Sequence, residues 1–353
     1  MFKGHWTAKA CLVVAAGLLA SACGSSTSSS TATTSASGGK LALGSRTIGI
    51  DASNLASAAE EGWVTVASSA IKALGWKPVV VNGQGSPTLE EQAIQTFVTQ
   101  HVSGIITMAI DGAPIRQQLA SAKSAGIPVI AVGISVDPQG KSLFNAVYAP
   151  SDRKYAQNMA SYITAHFPKG TSYVTLNLSA VYGAAETVDA INPLLTAAGY
   201  VNAGTCNMGT TTIVQDAQSC TTNLIQAHPQ AKVYVSCCDF TPAITVPALT
   251  AIQKTNVLQI APYDDAVSQQ MIQKGDNLAL AVSNIDTGVL IAVDQIAAHA
   301  VKGTPINPNA ASTAFKYVML DKSNVPTGSA PYFNPNTELA QFVHKWSTEY
   351  VLP

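Results

Sequence analysis

The sequence predicts an α/β protein made of two doubly wound lobes, each built on a parallel β-sheet. Short runs of apolar, often β-branched residues recur along the 353-residue chain, and amphipathic stretches of helical length separate them. Strands that are apolar at nearly every position are typical of parallel sheets, because helices cover both of their faces. The length of the chain favours about two such domains.

The first block begins with a strand and a well-marked helix. TIGI at 47–50 is the first expected strand. The helix is expected over Ser57–Leu74, because Ser57 suits the N-cap, Glu60 follows three residues later as in a capping box, and Gly75 ends the pattern. Further strands are expected at 78–81, 104–109 and 128–133, with helices at 89–101 and 114–126.

The second block repeats this alternation and ends in a different kind of tail. Its strands are expected at 172–178, 231–236, 256–262 and 278–283. A Gly/Ser/Pro-rich loop then precedes an expected helix over Asn336–Tyr350, with Phe342, Trp346 and Tyr350 at helical spacing. We expect this aromatic stripe to pack against the second lobe.

Residues 1–22 have the pattern of a signal peptide. The apolar run at 10–22 is too short to cross a bilayer, which takes about 20 residues. The order LLASA before Cys23 resembles the lipobox of bacterial lipoproteins, and an ordinary secretory peptide cut near Ala22 is the alternative. Residues 23–44 then form a lipidated cysteine and a Ser/Thr-rich flexible tether. The expected location is extracytoplasmic, anchored to the cell membrane.

Composition narrows the function classes. The chain is 47% hydrophobic and 11% charged, with a net charge of −1. No basic patch points to nucleic acid, and no later apolar run approaches the length of a membrane span. Neither a G-x-S-x-G elbow nor an H-E-x-x-H pair is present, so we expect neither an enzyme nor a metal or other cofactor.

Cysteine usage agrees with export, because an even number of cysteines remains after the leader and Cys23 are set aside. The disulfide candidates are Cys206, Cys220, Cys237 and Cys238. These four allow three pairings, and the pairing that bridges the two adjacent cysteines is the most strained.

Four stretches then carry a family resemblance. They are GIITMAIDGAPIRQQLASAKSAGIPVIAVG, VYVSCCDFTPAITVPALTAI, IAPYDDAVSQQMIQKGDNLALAVSNIDTGVLIAVDQIAAHAVKG and FKYVMLDKSNV. Their order and spacing over residues 45–325 resemble the sugar-type, ribose-binding-like type 1 periplasmic binding proteins of ABC transporters, in lipoprotein form.

The resemblance implies a three-segment hinge with crossovers near Tyr148, Asn284 and Tyr317. It also implies lobe boundaries, with the N-terminal lobe at 45–147 plus 285–316 and the C-terminal lobe at 148–284 plus 317–353. The expected function is capture of a small polar solute, sugar or sugar-like, in an interlobe cleft by a monomer that delivers it to an ABC permease. The alternative is a sensory receptor of the same fold that signals ligand presence to a membrane partner.

Polar residues just past the strand ends are the candidates for ligand contact. They are Asp51, Asn54, Ser57, Glu60, Asp111, Tyr182, Glu186, Asp239, Asp264 and Asn284. Sugar binders of the family usually carry an Asp-Arg pair after the fourth strand, where this chain has Gly133 and Ile134. A cleft with several carboxylates and without this arginine would suit a neutral polyol or a cationic or amine-bearing ligand.

Overall fold

The computed structural model describes residues 39–263 and 265–353, so the leader, Cys23 and most of the tether lie outside the described residues. Each predicted strand is present, with ends within two residues of those expected. Among the helices of these two ranges, none combines the length and apolarity that a membrane span needs.

The first sheet follows a two-residue strand, β1 (Leu41–Ala42). It has five parallel strands: β2 (Thr47–Ala52), β3 (Lys77–Asn82), β4 (Gly104–Met108), β5 (Val129–Val132) and β6 (Ala146–Tyr148). Their spatial order is β3-β2-β4-β5-β6. The chain therefore adds β3 on one side of β2 and then adds β4, β5 and β6 in succession on the other side. The helices of this block are α1 (Ala58–Ala73), α2 (Pro87–Thr99), α3 (Arg116–Ser124) and the short α4 (Pro138–Lys141).

The second sheet has six strands: β7 (Ser172–Asn177), β8 (Val201–Asn207), β9 (Val233–Ser236), β10 (Leu258–Pro262), β11 (Leu278–Ser283) and β12 (Tyr317–Leu320). Their order is β12-β11-β10-β9-β7-β8, and only β12 is antiparallel to its neighbour. Its helices are α5 (Asp152–His166), α6 (Tyr182–Ala197), α7 (Ile213–Ala227), α8 (Pro242–Ala251) and α9 (Ala266–Lys274). Two doubly wound parallel-sheet lobes are therefore confirmed.

The start of α1 differs from a full capping box. The Ser57 hydroxyl accepts the backbone N–H of Glu60 at 3.4 Å, as an N-cap should. The Glu60 carboxylate accepts the N–H of Asn54 at 2.9 Å instead of bonding back to Ser57. This bond ties the loop after β2 to the helix and fixes the position of a buried carboxyl group.

Hydrogen bonds hold the three predicted crossovers together. The Asn284 amide donates to Thr287 Oγ1 at 2.7 Å, and its oxygen accepts the N–H of Lys316 at 2.7 Å. The Tyr317 hydroxyl accepts the N–H of Ser151 at 2.6 Å. From the second crossover, α10 (Ile285–Lys302) returns to pack on the first sheet.

The tail differs from the expectation. After β12 the chain runs back to the first lobe, where α11 (Pro335–Glu349) packs on α1 and α10, and β13 (Tyr350–Val351) pairs with β1. The fully buried Trp346 donates its indole N–H to Asp294 of α10 at 2.9 Å. The aromatic stripe therefore packs against the first lobe, and the expectation of second-lobe packing is wrong, because α1 and α10, on which α11 packs, both belong to the first lobe.

Two of the four candidate cysteines form a disulfide, and the other two are free. Cys206 of β8 and Cys220 of α7 form a disulfide with their Cα atoms 5.8 Å apart. Closing a loop of this length contributes about 3 kcal/mol to stability in the chain-entropy account. Cys237 and Cys238, also disulfide candidates, are buried free thiols whose sulfur atoms lie 2.7 Å apart.

Candidate functional site

A cavity of about 480 Å³ lies between the two lobes, where strand ends of both sheets meet. From the first lobe it is lined by Ser53, Asn54, Ala56, Ser57, Glu60, Trp63, Gly85, Pro87, Glu90, Ala109, Ile110, Asp111, Pro114 and Ile134. From the second lobe it is lined by Leu178, Val181, Ala184, Thr210, Ile213, Val214, Cys238, Asp239, Phe240, Ile244 and Tyr263. This is the usual position for a ligand in open α/β sheets.

Two strand ends at the cavity adopt unusual backbone conformations. Ala109 follows β4 with φ of 54°, and Tyr263 follows β10 with φ of 66°. Residues other than glycine seldom occupy this left-handed region, and such strain concentrates at functional sites. The Tyr263 hydroxyl donates to the buried carboxylate of Asp152, and its ring lies edge-on to Tyr155 with centroids 4.8 Å apart. The strained turn is therefore held from both sides.

Burial raises the pKa of three carboxyl groups in the first lobe. Burial raises the pKa of Asp51 from 3.8 to about 8, and the nearby carboxyls of Glu90 and Glu60 add to the rise. Burial likewise raises the pKa of Glu60 to about 8 against the lowering effect of the Asn54 N–H, and that of Glu90 to about 7. At neutral pH Asp51 and Glu60 are therefore mostly protonated and Glu90 is about half protonated, and an approaching cation would favour release of these protons.

The second lobe adds a carboxyl from the opposite wall. Burial raises the pKa of Asp239 to about 7, with a further contribution from Asp265. Asp239 also raises the pKa of Glu60, so the two groups interact across the cavity. Burial raises the pKa of Asp111 too, although a hydrogen bond from the backbone N–H of Tyr182 opposes the rise. Since Tyr182 begins α6, this bond joins the two lobes.

Trp63 forms part of the cavity wall one helical turn after Glu60. Its ring lies so close to Gly133 that a Cβ there would come within 2.5 Å of it, and Gly133 has φ of 95°. A glycine at this position is therefore required by both the backbone and the indole. On its other side Trp63 lines a smaller cavity of about 180 Å³ beside α9 and the tail.

The comparisons with known proteins agree with this architecture. The family described as the periplasmic binding protein domain matches residues 53–305. The chain belongs to the periplasmic binding protein family. Membership confirms a solute-binding protein outside the cytoplasm, and it confirms the expectation that the chain is not an enzyme.

Solved structures share the fold of this periplasmic binding protein. An ABC transporter solute-binding protein from Mycobacterium smegmatis with bound glycerol is 19% identical, with a TM-score of 0.69, covering 81% of this chain and 99% of its own. The Caulobacter myo-inositol binding protein is 16% identical, with a TM-score of 0.70 and coverages of 79% and 94%. A Mycobacterium smegmatis structure with β-D-fucofuranose is 16% identical, with a TM-score of 0.70 and coverages of 85% and 98%. No curated protein sequence matches the chain significantly.

The structure brings some of the predicted site residues of the binding protein together. Asn54, Ser57, Glu60, Asp111 and Asp239 all line the cavity. Asp51 lies behind this wall, fully buried beside Glu60 and Glu90. Asp264 lies outside the described residues.

Three predicted residues are placed elsewhere in the binding protein. Asn284 is buried in the hinge, where its amide is bonded to the neighbouring crossover. Glu186 forms an ion pair with Arg153 at 2.8 Å and does not line the cavity. Tyr182 reaches Asp111 through its backbone N–H, and its side chain lies outside the lining.

Sequence reasoning missed several cavity residues. Tyr263 directly follows β10, so the strand-end rule includes its position. Glu90 lies further from its strand, in the first turn of α2. Trp63 stands three residues after Glu60, which places the two side chains on one face of α1. Phe240 follows the predicted Asp239. The apolar and aromatic residues of the wall were not predicted because the strand-end rule applies to polar side chains.

Proposed function

We propose that this periplasmic binding protein captures a small polar solute, sugar or sugar-like, between its lobes and delivers it to the permease of an ABC importer. The observation that carries the proposal is the interlobe cavity with carboxylates on both walls. Its volume of about 480 Å³ suits a small molecule. Solved structures of the same fold hold glycerol, myo-inositol and β-D-fucofuranose.

The proposed ligand contacts come from both lobes. Asn54, Ser57, Glu60 and Asp111 would bind the solute from the first lobe, and Asp239 from the second. Closure around the solute would strengthen these hydrogen bonds, because the cavity excludes water. The closed pair of lobes then presents a single surface to the permease.

The protein is further proposed to be anchored through lipid on Cys23, with the Ser/Thr-rich segment as a tether. The support is the sequence LLASA before Cys23 and the absence of bulky apolar residues over the following serines and threonines. A tethered receptor stays near its permease, which raises the effective concentration of the captured solute at the membrane.

A binding measurement tests the capture of a solute. We expect at least one member of a panel of sugars and polyols to raise the melting temperature, since a ligand at 100 times its Kd adds about 2.7 kcal/mol of stability. Asp239→Asn should weaken that ligand at least tenfold by calorimetry, because a charge-assisted hydrogen bond is lost. The exposed Asp189→Asn on α6 is the matched control. Unchanged affinity in Asp239→Asn would show that Asp239 does not bind the ligand. If no compound of the panel raises the melting temperature, capture of a sugar-like solute is refuted.

Uptake and anchoring are tested in cells. Deleting the gene should abolish accumulation of the radiolabelled ligand, whereas intact uptake with a lost transcriptional response would favour the sensory alternative. Radiolabelled palmitate should be incorporated into the wild-type protein and not into Cys23→Ser. The variant should also be found in the culture medium instead of the membrane fraction. Labelling of Cys23→Ser would show that the anchor lies elsewhere.

A further inference from the structure

We propose that the solute held in this cavity carries a protonated amine, and that the carboxylates of the cavity wall bind it. The inference rests on the proposed function, since it names the chemical class of the solute captured at the same site.

The charge pattern of the cavity is one-sided. Its lining contains four carboxyl groups, from Glu60, Glu90, Asp111 and Asp239, and no Lys, Arg or His among the described residues that form it. The four groups come from α1, α2 and the loops after β4 and β9, so the fold itself gathers them. Like charges gathered in one cavity repel one another, and the protein supplies no cation there to offset that repulsion.

A second observation comes from behind the wall. Asp51 is fully buried, and neither of its carboxyl oxygens has a hydrogen-bond partner. Its electrostatic neighbours are Glu60 and Glu90, which both line the cavity, so Asp51 adds its carboxyl group to theirs from behind the wall. Thr107, its register partner on β4, and Asp111 also hold buried oxygens without partners. Unpaired buried polar groups are costly, and of these residues Asp111 lines the cavity, so a ligand with N–H donors can satisfy its free oxygen.

An ammonium group fits these needs better than a hydroxyl. It supplies three N–H donors and a positive charge, both of which suit a wall of four carboxyl groups, whereas a hydroxyl supplies one donor and no charge. The aromatic rings of Trp63, Phe240 and Tyr263 add faces that attract a cation. A metal ion is a poorer match, because no cluster of three or more His, Cys, Asp or Glu side chains suited to a metal occurs within the described residues.

Binding of an ammonium should release protons. The titratable groups coupled to the four carboxyls are Asp51, Asp137, Cys238 and Asp265, and Tyr263 lines the same cavity. All of them are neutral or negative, so the ionised carboxylates have no positively charged side chain among these neighbours, and only backbone N–H groups such as those of Asn54, Tyr182 and Phe240 offset the effect of burial. A cation favours the ionised form, and its affinity should therefore rise as the pH rises through the raised pKa values of Glu60, Glu90 and Asp239.

The test compares amines with neutral analogues of the same shape. We would titrate the purified protein by calorimetry with 1-amino-1-deoxysorbitol against sorbitol and with putrescine against 1,4-butanediol, at pH 6 and pH 8. These aliphatic amines stay protonated over that range. We expect one amine to bind at least tenfold more tightly than its neutral partner, to gain at least tenfold from pH 6 to pH 8, and to release protons on binding.

The outcomes separate the two proposals. If neutral sugars or polyols bind and no amine binds more tightly than its partner, or if the amine shows no dependence on pH, the inference is overturned and solute capture stands. If neither amines nor neutral compounds bind, both proposals fail.

A pair of variants tests the residues that carry the inference. Glu60→Gln should cost the amine at least tenfold more in affinity than it costs the neutral partner, because the amide keeps hydrogen bonding and loses the charge. The adjacent Glu61 is exposed on α1 and lies outside the cavity, so Glu61→Gln should not change either affinity. Equal losses for the amine and the neutral partner in Glu60→Gln would indicate ordinary hydrogen bonding and would overturn the assignment of the charge.

Discussion

The ligand-free protein is expected to lose stability as the pH rises from 5 to 8. Burial raises the pKa of Asp51 to about 8, so the folded state keeps a proton that the unfolded state has already lost. The free energy of unfolding falls with pH wherever the folded state binds more protons. For Asp51 alone this amounts to about 3–4 kcal/mol over the range, since one pKa unit is worth about 1.4 kcal/mol.

Asp51→Asn isolates the contribution of that carboxyl group. Asparagine has the shape of the protonated carboxyl and cannot ionise, so the variant should be more stable than the wild type at pH 8 and should show a shallower decline from pH 5. Thermal melts at unit pH intervals measure this, with the exposed Asp189→Asn as the control for the change of residue type. A wild-type melting temperature that is flat or rises over this range would contradict the protonated state of Asp51.

Trp346→Ala is expected to cost the largest amount of stability of any tail substitution. Trp346 is fully buried between α11 and the first lobe, and its indole donates to Asp294 at 2.9 Å. Truncating a buried tryptophan typically costs about 3–5 kcal/mol, because apolar contacts are lost and a cavity remains. At about 2 °C for each kcal/mol in a chain of this size, the melting temperature should fall by roughly 6–10 °C.

Trp346→Phe and ligand affinity complete that experiment. The phenylalanine keeps most of the apolar contact and loses the bond to Asp294, so its cost should be only about 1–2 kcal/mol. Both variants should bind ligand with affinities close to the wild type, because Trp346 does not line the cavity. A Trp346→Ala protein that melts like the wild type would show that the tail contributes little to the fold.

The two lobes could be predicted because their signals are local. A buried parallel strand is apolar at nearly every position, and β2, β4 and β11 all show this in sequence. The edge strand β8 was missed because its residues, VNAGTCN, are mostly small or polar and none of them is fully buried. The packing of the tail could not be predicted, since an aromatic stripe specifies a buried face and does not say which lobe provides the partner.

The site was predicted in part for a related reason. The strand-end rule names the loops that meet at the cavity, and it placed Glu60, Asp111 and Asp239 there. It does not fix the direction in which a side chain points. Glu186 lies on α6, turned towards Arg153, and Asn284 points into the hinge, so both satisfy the rule without reaching the cavity.

The tail also limits how the lobes can separate. Phe333 packs on the second lobe beside β11 and β12, and α11 begins on the first lobe only two residues later, at Pro335. Two extended residues span about 7 Å at most, so the lobes have almost no slack on that side. Opening of the cavity is therefore expected to rotate one lobe relative to the other about this edge. The widest gap would then lie on the side away from the tail.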